Sequence, residues 1–218
     1  MNWTDVIKDI LVTGLSAFGG AWAAFFFESW RERRKEKDEQ YRALRFAHFV
    51  VMSQYQELIT LRDSYLQTLQ NPNDPGLRLH PVALGFASPS LKVSELGFVL
   101  EGSDPDLLNR LTIGQQRYET VRNLLASRNQ LHVELQRRAA ALQAQGVDAA
   151  ENEEALHRML GKDLVTQLKS LTAAVFEAHE RATSLLEENL SGISEFASTH
   201  FPDRRTPRFE VVPQGERR

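Results

Sequence analysis

The chain has 218 residues and no cysteine. That excludes disulfides, thiol nucleophiles and cysteine-held zinc or iron–sulfur sites. Walker sequences, Gly-x-Ser-x-Gly and dinucleotide fingerprints are also missing, so the common phosphate-loop and hydrolase signatures are gone. The adjacent Gly19 and Gly20 lie inside an apolar run, where no phosphate loop can form. No repeat of 20 to 50 residues is visible. Net charge is −3, so bulk charge gives no reason to expect nucleic acid as a partner. Two local absences shape everything else. Residues 10–27 carry no charge, and residues 28–70 contain neither glycine nor proline.

The uncharged run, ILVTGLSAFGGAWAAFFF, is 18 residues long. As a helix it covers about 27 Å, close to the hydrocarbon thickness of a bilayer. Trp3 and Trp30 flank it, about 40 Å apart on a helix, at the depth indole rings favour. The sequence therefore predicts a single-pass transmembrane helix anchored by Trp3 and Trp30, with the bilayer as first partner. Only Lys8 is basic on the N-terminal side, whereas Arg31, Arg33, Arg34, Lys35 and Lys37 follow the run. Positive charge belongs on the cytoplasmic side, which places the N-terminus outside and the main domain in the cytoplasm of a bacterial inner membrane. The same five cations are candidate contacts for anionic lipid, diluted by Glu32, Glu36, Asp38 and Glu39. A cleaved signal peptide fits poorly. Asp5 and Asp9 oppose a positive n-region, and Phe25, Phe26 and Phe27 run past the Ala21-Trp22-Ala23 motif.

Inside the run, Ser16, Gly20 and Ala24 are spaced four apart, as are Thr13, Ala17 and Ala21. Small residues at that spacing let transmembrane helices approach closely. They form a candidate seam for a homo-oligomer.

Beyond the run the periodicity is helical, and the fold class is all-α: the transmembrane helix continues into an elongated cytoplasmic bundle of three long helices plus a short helix. The expected parts are a short outer N-terminus (1–9), the span (10–30), a charged stalk (31–40), the bundle (41–200) and an extended or disordered tail (201–218). The first helix shows Leu44, Ala47, Val51, Tyr55, Leu58, Tyr65 and Leu69 at three- and four-residue spacing, and ends at the Asn71-Pro72-Asn73-Asp74-Pro75-Gly76 breaker. Residues 71–103 are too apolar for a free linker, and a short helix is expected at 91–100. Ser103-Asp104-Pro105 starts the second helix with a capping side chain and a first-turn proline. That helix is expected to run to about Gln145, with Gly146 stopping it. The third is expected from about 150–152 to 198, with Leu160, Leu164, Leu168, Leu171, Val175, Ala178, Ala182, Leu185 and Ile193 inward. Glu151 to Glu154 suit its N-terminus electrostatically. In the tail, residues 209–212 form a candidate docking strip.

The second helix carries the main polar constellation. Its inward stripe is Leu107, Leu111, Gly114, Tyr118, Val121, Leu125, Arg128, His132, Leu135, Ala139 and Leu142, each step three or four residues. Arg128 and His132 thus share an apolar face, with Asn129 beside them. A buried charge must be paired or hydrogen-bonded. Glu57, or Glu177 and Glu180 near His179, are the candidate partners. Three readings of this layer are open: a register device, a polar ring lining a pore or ligand cavity, or an acid–base pair acting on RNA. One Glu-x-x-His, Glu154 and His157, has di-iron spacing but no second copy, so no metal or cofactor is expected.

Arg42 and His48, with five residues between them, resemble the arginine–histidine motif of helical HEPN-type nucleases. The membrane helix joined to a bundle resembles the membrane accessory proteins of some RNA-targeting CRISPR systems. Arg128 and His132, with three residues between, depart from that motif. The wording of residues 100–105 and 128–132 is also similar to bacterial single-pass membrane proteins with a cytoplasmic helical domain, which imports no activity. The expected function is a membrane-anchored oligomeric scaffold or pore-type effector, with a protein partner at the bundle. The resemblance implies antiviral defence as its setting. The alternative it implies is a membrane-tethered HEPN-like ribonuclease, with Arg128 and His132 or Arg42 and His48 as candidate catalytic residues.

Overall fold

The computed structural model describes residues 3–66, 81–82, 89–102, 104–144 and 161–205, with the side chains of 3–17, 21, 143 and 162 outside that description. All regular structure among these residues is helical. Helix α1 is Trp3–Leu61, α2 is Asp106–Ala144 and α3 is Lys162–His200. A π-helical turn, Arg62–Leu66, follows α1, and a 3-10 helix, Val93–Glu101, precedes α2. The chain divides into two compact units, Met1–Ala43 and Leu44–Arg218.

In the second unit, α2 packs along α3 and against the 3-10 helix. The α2 stripe is buried from Leu107 through His132, and only its last three members are partly exposed. Residues of α1 from Leu44 onward bury Leu44, Ala47, Val50, Val51, Gln54, Leu58 and Leu61. The inward residues of α3 are Val165, Leu168, Thr172, Val175, His179, Ala182, Leu186, Asn189, Leu190, Ile193, Phe196 and Ala197. Leu164, Leu171 and Ala178, expected inward, are only half-buried. The polar Thr172 and His179 hold the core positions that a purely apolar reading passes over by one residue.

Helix ends have local causes. The Asp104 carboxylate accepts the backbone N–H groups of Asp106 and Leu107 and pairs with Arg110 at 2.5 Å, which together hold it below the usual carboxylate range. Asp104 is therefore the capping side chain of α2. Helix α3 starts at Lys162, after Gly161, whose φ of +92° lies outside the right-handed helix; the expected start at 150–152 lies outside the described residues. The α-helical part of the first helix stops at Leu61, short of Gln70, where the π turn takes over. The short helix falls where expected but is 3-10. Leu96 and Val99 are buried, and Phe98 lies 6.1 Å from Phe196 and 6.5 Å from Phe201. The 71–76 breaker, Ser103, Gly146, Glu151 to Glu154, His157, Leu160 and the 209–212 strip lie outside the described residues.

Gly114 lets α2 pack closely against Asn189 and Leu186 of α3. A Cβ there would fall 2.4 Å from Asn189 Nδ2. That amide donates to the Arg110 carbonyl at 3.0 Å. Gly114→Ala is expected to displace buried Asn189 and break this bond, costing about 1–3 kcal/mol. Urea denaturation of the detergent-solubilised chain measures it.

Candidate functional site

Two places gather the residues singled out by sequence. The first is the polar layer of the bundle. Arg128 is 0 % exposed and His132 is 4 % exposed, one turn apart on α2. Arg128 Nε donates to Thr172 Oγ1 at 3.1 Å, and that hydroxyl donates on to the Leu168 carbonyl at 2.8 Å. Burial lowers the Arg128 pKa to about 10, which still leaves it protonated at neutral pH. Asn129 clamps the segment that precedes the 3-10 helix. Its Nδ2 donates to the Val82 carbonyl at 2.7 Å, and its Oδ1 accepts the Val82 N–H at 3.2 Å.

Glu57, one of the acidic residues suggested by sequence, accepts the hydroxyl of buried Tyr118. Glu177 is exposed and pairs with Arg181 at 2.5 Å, while Glu180 is exposed. Thr172 on α3 accepts from the guanidinium while its own hydroxyl proton goes to the Leu168 carbonyl.

Sequence reasoning named His179 only as a neighbour. In the fold it is buried, and its Nε2 donates to the Leu58 carbonyl at 2.8 Å. Leu58 lies one turn before the π-helical turn Arg62–Leu66. The bond from His179 ties α3 to α1. Gln54 adds a second tie, donating to Gln115 Oε1 at 2.6 Å. No motif in the sequence marks the pairing of His179 with Leu58.

Desolvation lowers the His179 pKa from 6.5, opposed by the Leu58 bond, and burial lowers that of His48 too. Each is neutral in the fold, whereas the unfolded chain takes protons below about pH 6.5. Stability is therefore complete above that value and is lost as pH falls toward the lowered folded values. The urea midpoint is expected to be flat above about pH 7 and to drop as pH falls below about 6.5. His179→Gln keeps a donor without titrating and is expected to shrink that drop.

The second place is the N-terminal unit. Phe18, Trp22, Phe25, Phe26, Phe27 and Trp30 are all exposed, Phe25 at 76 % and Trp30 at 55 %. Successive residues project about 100° apart, so Phe25 to Phe27 alone make most of the helix circumference apolar. Gly20 and Ala24 are exposed, and a Cβ at Gly20 would meet nothing within 4 Å. Trp3, Thr13, Ser16, Ala17 and Ala21 have side chains outside the described residues. Among the described residues no helix is long and apolar enough to cross a membrane, and residues 10–17 of the uncharged run fall outside that set. Arg31, Arg33, Arg34, Lys35 and Lys37 are exposed. The Arg34 guanidinium lies 5.4 Å from the Trp30 ring, and Lys35 lies 3.8 Å from Glu39.

Of the HEPN-type pair, Arg42 is exposed and His48 is half-buried. Among the described residues, no group of three or more His, Asp or Glu side chains could hold a metal ion. No protein-family model, curated protein or solved structure matches this chain.

Proposed function

We propose that the protein is a membrane-anchored helical scaffold that works as an oligomer. Residues 10–30 lie in the bilayer, the N-terminus is outside, and the bundle is presented to a cytoplasmic protein partner. The observation that carries this reading is the exposed aromatic belt of α1. Covering one large apolar side chain is worth about 1.5–3 kcal/mol, so six left in water would cost on the order of 10 kcal/mol. Lipid chains and neighbouring copies remove that cost.

The polar layer supports a register role rather than a pore lining or an acid–base pair. Arg128 and His132 are held from solvent, and Arg128 donates to a hydroxyl of the facing helix. An RNA phosphate would have to reach between packed helices to meet them. A register device needs only what is there: a few polar groups that pair in one alignment and are left unsatisfied in others.

Sedimentation of the full chain in a neutral detergent tests the reading, with a defined oligomer expected. A strictly monomeric protein would remove it. Reporter fusions at the two termini check the orientation, and a cytoplasmic N-terminus would reverse it.

A further inference from the structure

We infer that α1 carries a self-complementary pair of charged faces just past the aromatic belt, and that its occupant is a second, parallel copy of this chain. Glu28, Glu32, Glu36 and Glu39 are exposed and fall within about 80° of the helix circumference. Arg31, Arg34, Lys37 and Arg42 are exposed and fall within about 140° on the other side. Exposed Arg33, Lys35 and Arg45 widen the basic face to about 200°, and half-buried Asp38 falls within it; apart from Asp38, the two signs are segregated along the same stretch of helix.

Each face is badly served within its own chain. Glu28 and Glu32, and Glu32 and Glu36, are like charges four residues apart, a spacing that destabilises an isolated helix. Arg31 and Arg34 repeat the problem at three residues. On the acidic side, Glu39 meets Lys35 only at 3.8 Å, and Glu36 meets Gln40 at 3.4 Å. Among the described residues, Glu28, Glu32, Arg31, Lys37 and Arg42 have no ion pair within the chain. Opposite charge from another molecule relieves both faces.

A second copy fits because it brings both signs at the right height. Members of the two stripes are offset by one to three residues, at most about 4.5 Å along the axis, within the reach of arginine and glutamate side chains. Parallel alignment rests on the membrane-anchored reading, since a common span sets copies side by side in one direction. The acidic face of one copy then meets the basic face of the next. Such a contact joins two different patches, so it propagates around a ring rather than ending at a dimer.

Two full-length variants test this in neutral detergent: Glu28→Lys/Glu32→Lys/Glu36→Lys and Arg31→Glu/Arg34→Glu/Lys37→Glu. Each alone is expected to associate at least about tenfold more weakly than the parent, and an equimolar mixture is expected to recover association. Parent association is expected to weaken between 0.1 and 1 M salt, as the screening length falls from about 10 to 3 Å. Thermal unfolding of each variant checks that the bundle is intact. A monomeric parent sinks the oligomer reading itself. A parent oligomer matched by both variants overturns the face pairing alone. If the reversals leave association unchanged but abolish binding to phosphatidylglycerol vesicles, the basic face serves lipid headgroups and the inference is wrong.

Discussion

Arg128→Ala is expected to destabilise the bundle by about 3–5 kcal/mol, among the largest effects any single substitution can have here. Arg128 is one of the largest fully buried side chains, so truncation opens a cavity between α2 and α3. It also leaves Thr172 with one bond, to Leu168, where there were two. Arg128→Met separates volume from charge. Methionine fills much of the same space, and replacing buried charge by apolar volume is often neutral or stabilising. The Met variant is therefore expected within about 1.5 kcal/mol of the parent. Urea unfolding of the detergent-solubilised chain reads both. A Met variant that falls as far as the Ala variant would mean that the guanidinium's bonds, not its volume, hold the layer.

Gly20→Leu is expected to weaken self-association by about tenfold or more while leaving bundle stability unchanged. The reasoning starts from a cost. A helical glycine is about 1 kcal/mol less favourable than alanine. Among the described residues nothing repays that cost, since a Cβ at Gly20 would meet only open space. A leucine there is harmless to the isolated fold and obstructive only to a neighbouring helix. Sedimentation equilibrium in detergent reads the association, and thermal unfolding serves as the internal control. Association equal to the parent's would take the small-residue seam out of the interface.

What the sequence revealed depended on the chemistry of each core position. The α2 stripe was legible over its buried length, including Gly114 and the Arg128–His132 step, because apolar residues bracket each polar member at helical spacing. In α3, Leu168, Val175, Ala182, Leu185 and Ile193 are buried as expected, whereas Leu164, Leu171 and Ala178 each lie one residue before a buried position. Thr172, His179 and Asn189 occupy its core, while the half-buried Leu164 and Leu171 beside them look more apolar. Polar core positions become visible only when the facing helix supplies their partners: Arg128 for Thr172, the Leu58 carbonyl for His179, and the Arg110 carbonyl for Asn189.

The same limit applied to the polar layer itself. Charge bookkeeping pointed only to carboxylates for Arg128, and the Thr172 hydroxyl that accepts from its Nε was not foreseen. The 3-10 character of Val93–Glu101 was equally hidden, since so short an apolar stretch has no periodicity that separates it from an α-helix. By contrast, the uncharged run, its aromatics and the segregated charges after it are local patterns, fully present in the sequence. On α1, Phe18, Trp22, Phe25, Phe26, Phe27 and Trp30 are exposed. We propose that lipid covers them.

The most direct test of that claim is extraction. Membranes from cells producing the full chain are washed with alkaline carbonate, which strips peripheral proteins, and then with detergent. The protein is expected to stay in the pellet through the carbonate wash and to enter solution only with detergent. Release by carbonate alone would contradict the bilayer placement of residues 10–30 and the scaffold reading built on it.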